Sequence, residues 1–275
     1  IFSSGSKRYR CFGLSLYALG IGKGDEVIVT SRTFLASVSC IINSGAIPVF
    51  ADVELDTQNV SDDTISKVLT KKTKAIICVH LAGWPCDMDP IIKLAKSNNL
   101  YVIEDCAQAH GARYKGKSVG TIGHIGCWSF CQDKIITTGG EGGMVTTNNK
   151  EYWSKMWSFK DHGKSWNAVY NKDHPPGFRW VHETFGTNWR LTEMQSAIGR
   201  IQLKKLPVWQ KLRTSNAEKI WETTEKISNL KKCTTVCKSC PQKSSECKLC
   251  KHAIYKCYVF FQDKKEKRDL AISKI

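Results

Sequence analysis

Asn99-Leu-Tyr-Val-Ile-Glu-Asp-Cys-Ala-Gln108 is the stretch on which the fold turns. Its first half is apolar on consecutive positions with no alternating polar face, as expected of a parallel strand covered on both sides by helices. Its second half places a carboxylate, Asp105, and an amide, Gln108, directly after that strand. Upstream, Thr73 to Val79 is a second run of the same kind. Between the two, Met88, Ile91, Ile92, Leu94 and Ala95 make one apolar stripe of a helix over 88–97, with Asp87 as its cap. Further upstream, Asp25 to Thr30 and Ile47 to Val53 read as strands, with helical stretches near 35–43 and 62–70. Strands alternating with helices predict a doubly wound α/β sheet. In such sheets ligands sit outside the carboxyl ends of the strands, so Asp105 and Gln108 are the first candidates for chemistry.

The 275 residues carry 41 Lys+Arg against 25 Asp+Glu, a formal charge of +16, with 41% hydrophobic residues. That composition excludes disorder, collagen and a coiled coil. No apolar run approaches the roughly 20 residues of a membrane helix, and the start lacks the regions of a signal peptide, so a cytoplasmic location is expected. The charge suits an anionic partner, although much of it is strung through the last third of the chain as a solvated basic face. Cys11, Cys40, Cys78, Cys86, Cys106, Cys127 and Cys131 read as buried small hydrophobes.

Downstream of Gln108, Ser129 and Lys134 precede the Gly-rich Thr137-Thr-Gly-Gly-Glu-Gly-Gly-Met144, which demands unusual backbone torsions. From Glu151 to about Arg190 the chain turns aromatic and reads as a long surface excursion, its tryptophans either packing it, the favoured reading, or lining a substrate loop. A long helix follows, with the capping box Thr192-Glu-Met-Gln195 and Met194, Ala197, Ile198, Ile201 and Leu206 near one face, its polar remainder running to about Leu230. His252 to Phe261 reads as a strand, with a helix after it. His80, His110 and His162 flank these motifs and are read as structural.

A carboxylate after a strand, a glutamine three residues on, and a serine and a lysine before a Gly-rich loop are the parts a pyridoxal phosphate enzyme requires. The lysine amine bonds the cofactor's aldehyde and shuttles a proton, which a partly desolvated pocket promotes by favouring the neutral form. The carboxylate keeps the pyridine nitrogen protonated, and amides and hydroxyls hold the phosphate.

The segments GDEVIVTSRTFLAS, AIPVFADVELDT, KAIICVHLAGWPCDMDPI, VIEDCAQAHGARYKGKSVGTIG, CWSFCQDKIITTGGEGGMVTTN and FGTNWRLTEMQSAIGRIQL resemble the sugar-nucleotide aminotransferases of the DegT/DnrJ/StrS type, which are fold-type I pyridoxal phosphate enzymes. The resemblance covers about residues 20–215 and resumes at HAIYKCYVFF. It implies a three-layer α/β large domain with a mainly parallel sheet over 1–206, and a partial small α+β domain over 207–275 that carries a Cys-rich insertion, 233–250. Because members of the family extend beyond both termini, the sequence is expected to be truncated at both ends.

Residue by residue, the resemblance implies that Lys134 bonds the cofactor and is the acid/base of transamination. Asp105 would pair with the pyridine nitrogen, Gln108 would lie near the 3-hydroxyl, Ser129 would bind the phosphate and Phe34 would stack on the ring. Gly5 and Ser6 would form the N-terminal phosphate loop, an ungapped register placing Arg8 and Tyr9 there instead. Asn188 would reach the phosphate in the other subunit of a homodimer. The implied reaction carries nitrogen from glutamate or glutamine to a keto group on a nucleotide-linked sugar, for amino-sugar, surface polysaccharide or glycoside biosynthesis. A related branch, the sugar dehydratases, has histidine at the lysine position, and Lys134 argues against it.

The cluster Cys237-x-x-Cys240-x6-Cys247-x-x-Cys250, with Cys233 as a spare, has the spacing of tetrahedral thiolate coordination and makes structural zinc a candidate. Free thiols and an iron–sulfur site are the alternatives. Lysines interleave these cysteines, so a nucleic-acid-binding module over 231–257 is a second functional class, unsupported by any motif elsewhere in the chain.

Overall fold

The computed structural model describes residues 2–3, 9–177, 181–232, 249–263 and 265–274. The chain opens with β1 (Phe2–Ser3) and α1 (Tyr9–Ala18), then alternates β2 (Glu26–Thr30), α2 (Ala36–Asn43), β3 (Ile47–Ala51), α3 (Asp62–Ser66), β4 (Thr73–Val79), α4 (Met88–Ser97) and β5 (Tyr101–Asp105). A small antiparallel pair, β6 (Arg113–Tyr114) and β7 (Lys117–Ser118), precedes β8 (Ile125–Ser129) and β9 (Gly143–Thr146). After these come α5 (Lys150–Lys160), α6 (Trp166–Tyr170), α7 (Glu193–Thr224), the antiparallel partners β10 (Leu230–Lys232) and β11 (Val259–Phe261), and α8 (Lys265–Ser273).

The central sheet has seven strands in the order β1-β9-β8-β5-β4-β2-β3. Strands β3, β2, β4, β5 and β8 run parallel, and β9 is antiparallel to both of its neighbours. Successive residues of a strand point to opposite faces, and here both faces are covered. Ala75, Ile77 and Val79 of β4 pack with α1, α2 and Met156 of α5, whereas Ile76 and Cys78 pack with Ile65 of α3 and Met88, Ile91 and Ala95 of α4. That arrangement makes the sheet the middle of three layers and explains why Thr73–Val79 is apolar at nearly every position. Cys78, Cys86, Cys106 and Cys127 are fully buried, and burial pushes their thiols well up, so they behave as inert hydrophobes.

Part of the expected excursion over 151–190 is helical. Asn149 caps α5 by accepting from Glu151 N at 2.8 Å and Tyr152 N at 3.1 Å. Tyr152, Met156 and Phe159 recur at helical spacing and meet the core, with Phe159 4.3 Å from the Tyr17 ring. Trp153, Trp157 and Trp166 pack against one another and Tyr170.

Asp87 stands at the start of α4, yet its side chain makes no cap bond there. Its Oδ1 accepts instead from the Tyr114 hydroxyl at 2.6 Å, and that hydroxyl accepts from Asp89 N, so the cap is made through a tyrosine. Helix α7 keeps the expected capping box and runs unbroken through Pro207, but Met194 is 77% exposed and Ile201 57%. Of the strand expected over 252–261, only Val259–Phe261 forms one. Ala253, Tyr255 and Lys256 give their amides to the turn after β4, and His252 O and Ile254 O accept from Gln210 and Arg213 of α7, so none of these bonds joins a ladder. Gly5, Ser6, Cys237, Cys240 and Cys247 lie outside the described residues. Cys250 is buried, its sulfur accepting from Lys115 N at 3.3 Å.

Candidate active site

Every parallel strand of the sheet except its edge strand contributes to one cavity of about 680 Å³. The loop after β2 supplies Arg32 and Phe34, the turn after β4 supplies Leu81, Gln108 follows β5, and Ser129 ends β8. This is the carboxyl edge of the sheet, where a doubly wound fold leaves strand-end side chains uncovered by its helices. The volume lies in the range of small-molecule sites.

Lys134 reaches the cavity from the turn after β8 and is nearly buried, with 11% of its side chain exposed. Its Nζ donates to Asp133 Oδ2 at 3.0 Å and to the Tyr255 hydroxyl at 3.1 Å. Tyr255 in turn donates to the same Asp133 Oδ2 at 2.5 Å, closing a triangle. Burial pulls the Lys134 ammonium toward neutrality, but the bonds to Tyr255 and Asp133 outweigh it and the lysine stands above its usual value. The expected desolvation is therefore present and is overridden by two acceptors. Asp133 loses some solvation, yet the same two partners hold its carboxyl down at about 2.

Asp105 ends β5 with 1% of its surface exposed. Ser37 Oγ donates to its Oδ2 at 2.9 Å, and its Oδ1 accepts from Ala107 N. It is not among the residues that line the cavity, although its partner Ser37 adjoins Ala36, which is. Gln108 lines the cavity and uses its Oε1 to accept from Ala82 N at 2.6 Å. Ser129 Oγ accepts from Cys131 N at 3.4 Å, and Phe34 stands exposed on the facing wall. Glu141 also lines the cavity, and its buried Oε2 has no partner among the described residues. In the Gly-rich loop, Gly139 and Gly140 take φ of 82° and 118°, a region that side-chain-bearing residues rarely adopt.

The far wall is delivered by the C-terminal segment. Ala253 N bonds Gly83 O at 2.8 Å and Tyr255 N bonds Ala82 O at 2.9 Å, while Arg213 of α7 grips Ile254 O at 2.9 Å. Gly83 has φ 99°, and a Cβ there would stand 2.8 Å from both Ala253 Cβ and Gln108 O, so only glycine permits the docking. Ala82 and Ile254 also have positive φ, at 57° and 51°. For a β-branched residue this is strain, on the order of 1–3 kcal/mol, held by the surrounding contacts.

Next to Asp105, Glu104 points to the other face and is fully buried. It accepts from Gly120 N (2.7 Å), Ile122 N (2.8 Å), Gly123 N (2.6 Å) and His80 Nε2 (3.0 Å). His80 Nδ1 accepts from Cys86 N, which assigns the proton to Nε2. Burial works against the Glu104 carboxylate, but these donors prevail and lower its pKa. Cys106 lies close enough to complete a metal-like trio with His80 and Glu104, but the carboxylate is already spent on backbone amides and the knot is structural. His110, packed between Trp128 and Phe130, is lowered by burial to about 4 and stays neutral.

Of the sequence-predicted residues, Phe34, Gln108, Ser129 and Lys134 share the cavity and Asp105 does not line it. Asn188 is exposed and outside it, bridged to Asp161. Sequence reasoning missed Asp133, Glu141 and Tyr255. Asp133 and Glu141 sit within the quoted motif, and Tyr255 within HAIYKCYVFF, so position in a motif was the available signal.

A family model for the DegT/DnrJ/EryC1/StrS aminotransferase family matches residues 3–274. A GDP-perosamine synthase from Escherichia coli O157:H7 is 49% identical over 192 residues, 70% of this chain and 50% of that protein. The chain spans about half the length of the curated relatives it matches. Among solved structures, an aminotransferase from Psychrobacter cryohalolentis is 56% identical with a TM-score of 0.89, covering 97% of this chain and 67% of that one. S. venezuelae DesV, solved in complex with a ketimine intermediate, is 30% identical with a TM-score of 0.82, over 99% of this chain and 67% of that one.

Proposed function

The chain belongs to the DegT/DnrJ/EryC1/StrS aminotransferase family, and on that premise we propose that it transfers an amino group to a keto sugar carried on a nucleotide, with pyridoxal phosphate as cofactor and glutamate or glutamine as donor. The observation that carries this reading is the convergence of Lys134, Ser129, Gln108 and Phe34 on one cavity at the carboxyl edge of the sheet. The residues fit the cofactor: an amine, a hydroxyl, an amide and an aromatic face line the space, and a carboxylate lies just outside the lining. When bound, the cofactor supplies an electron-accepting ring.

Lys134 would hold the cofactor at its aldehyde carbon through Nζ, water being the group released, and would move a proton at the substrate carbon. Asp105, oriented by Ser37 just outside the cavity lining, would be the carboxylate for the ring nitrogen if the cofactor seats deeply enough to reach it. Phe34 would cover the ring face, Ser129 would take the phosphate and Gln108 would serve the ring's hydroxyl. The buried acceptor Glu141 Oε2 suits a sugar hydroxyl or an incoming ammonium.

The same reading includes a homodimer. Asn188 lies exposed outside the cavity of its own chain, and Met194 and Ile201 leave an apolar face on α7, which supports Asn188 serving the partner's cofactor phosphate. It also keeps the division into a cofactor-binding part, 1–206, and a partial small domain, 207–275. Among the described residues no helix is long and apolar enough to cross a membrane. The buried free cysteines suit a reducing compartment, and the cytoplasm is that compartment in this reading.

The test is the absorbance of the purified full-length protein with pyridoxal phosphate, before and after glutamate. The expected result is a visible band that glutamate converts and that Lys134→Ala lacks. A wild-type protein without the band overturns the reading.

A further inference from the structure

Resting on the reading of Lys134 as the reactive amine, we propose that Asp133 and Tyr255 are positioning residues that form a two-armed latch on its amine, one arm being carried by the C-terminal segment. The reactivity of the amine then depends on the docking of that segment against the sheet edge.

The geometry is a closed triangle. Lys134 Nζ lies 3.0 Å from Asp133 Oδ2 and 3.1 Å from the Tyr255 hydroxyl, and that hydroxyl donates to Asp133 Oδ2 at 2.5 Å. The ammonium also stands 4.7 Å from the Tyr255 ring centroid, where the face of the ring attracts a cation. Asp133 is next to Lys134 in the chain, so its arm forms locally. The Tyr255 arm crosses 121 positions of sequence. It is held by Tyr255 N and Lys256 N, both donating to Ala82 O, while Ala82 N donates to Gln108 Oε1. Gln108, Ala82, Tyr255 and Lys134 thus form one hydrogen-bonded chain along the cavity, crossing backbone held at positive φ at Ala82 and Ile254. Packing alone does not require the hydroxyl, since a phenylalanine fills the same volume.

Both arms favour the ammonium over the neutral amine, against the effect of burial. Other groups around the cavity are Glu141, which adds negative charge, and Arg32 and Lys256, which add positive charge. Tyr258 also lines it beneath the Arg32 guanidinium, and His110, behind Lys134, is neutral. Breaking either arm therefore makes Lys134 a weaker base and leaves more of it neutral at physiological pH.

Competitive acetylation of the full-length, cofactor-free chain over a pH series, read by mass spectrometry of the Lys134 peptide, measures this directly. Tyr255→Phe lowers the labelling midpoint by about one pH unit, so that on the order of tenfold more Lys134 reacts near neutrality. Asp133→Asn, on a different segment and leaving the backbone bonds of Ala253, Tyr255 and Lys256 to Gly83 and Ala82 in place, moves the midpoint the same way and decides the matter if Tyr255→Phe does not fold. The double variant shifts less than the sum of the singles, as expected of one network. A wild-type midpoint in the folded single variants overturns the latch. The reading of Lys134 as the reactive amine fails separately, when the wild type acquires no cofactor absorbance.

Discussion

Two carboxylates, Glu104 and Asp133, each anchor a polar cluster near the carboxyl edge of the sheet, and the two clusters are built on opposite principles. Around Glu104 the donors are mostly backbone amides, and the carboxylate is fully buried. Around Asp133 the donors are side chains, Lys134 and Tyr255, and the cluster opens onto a cavity. A carboxylate whose partners are backbone in a sealed site holds a loop in place. One whose partners are side chains beside open volume leaves those partners within reach of whatever fills it. The contrast also assigns the neighbours Glu104 and Asp105, which point to opposite faces of one strand.

The sharpest break of this comparison is Lys134→Ala. Turnover falls below detection and the cofactor band is lost, while the melting temperature stays within a few degrees of wild type, because no backbone group loses its partner. Glu104→Ala is the converse. It orphans the amides of Gly120, Ile122 and Gly123 together with His80, and lowers stability by roughly 3–5 kcal/mol, on the order of 10 °C in thermal melting. A smaller loss would mean that water replaces the carboxylate.

Acid probes a third kind of site, the buried neutral histidine. His110 and His252 are lowered by burial to about 4 and about 3 from an ordinary 6.5. The unfolded chain therefore binds more protons below about 6.5, and stability present above that pH is lost progressively as the pH falls toward 4. Melting temperatures across that window check the slope, which His110→Gln flattens. The smallest effect expected is that of Asp87→Ala, which removes the Tyr114 hydroxyl's acceptor at the start of α4 and costs about 1 kcal/mol by denaturant unfolding.

Much of this was legible beforehand, for reasons visible in particular residues. Thr73–Val79 and Asn99–Glu104 read as parallel strands because helices bury both faces. Gln108, Ser129 and Lys134 stood out because each follows or ends a strand, where the fold leaves room for polar groups, whereas Phe34 was marked only by resemblance to a family motif. The helix Lys150–Lys160 was hidden by its tryptophans, although Tyr152, Met156 and Phe159 carry a helical period. The stretch before Val259 looked like a strand because β-branched and aromatic residues report burial more than backbone pairing.

From its own order of residues the chain determines the layered sheet and the edge where strand-end polar groups collect, because periodicity and strand-end polarity are local properties; the role expected of Lys134 came from resemblance to a family. Only the tertiary structure decides that Tyr255 meets Lys134, that Ser37 bonds Asp105, and that Asp87 caps through Tyr114. Those contacts join segments far apart in the chain, and whether they form depends on close approaches, such as Gly83 against Ala253, that no local pattern encodes.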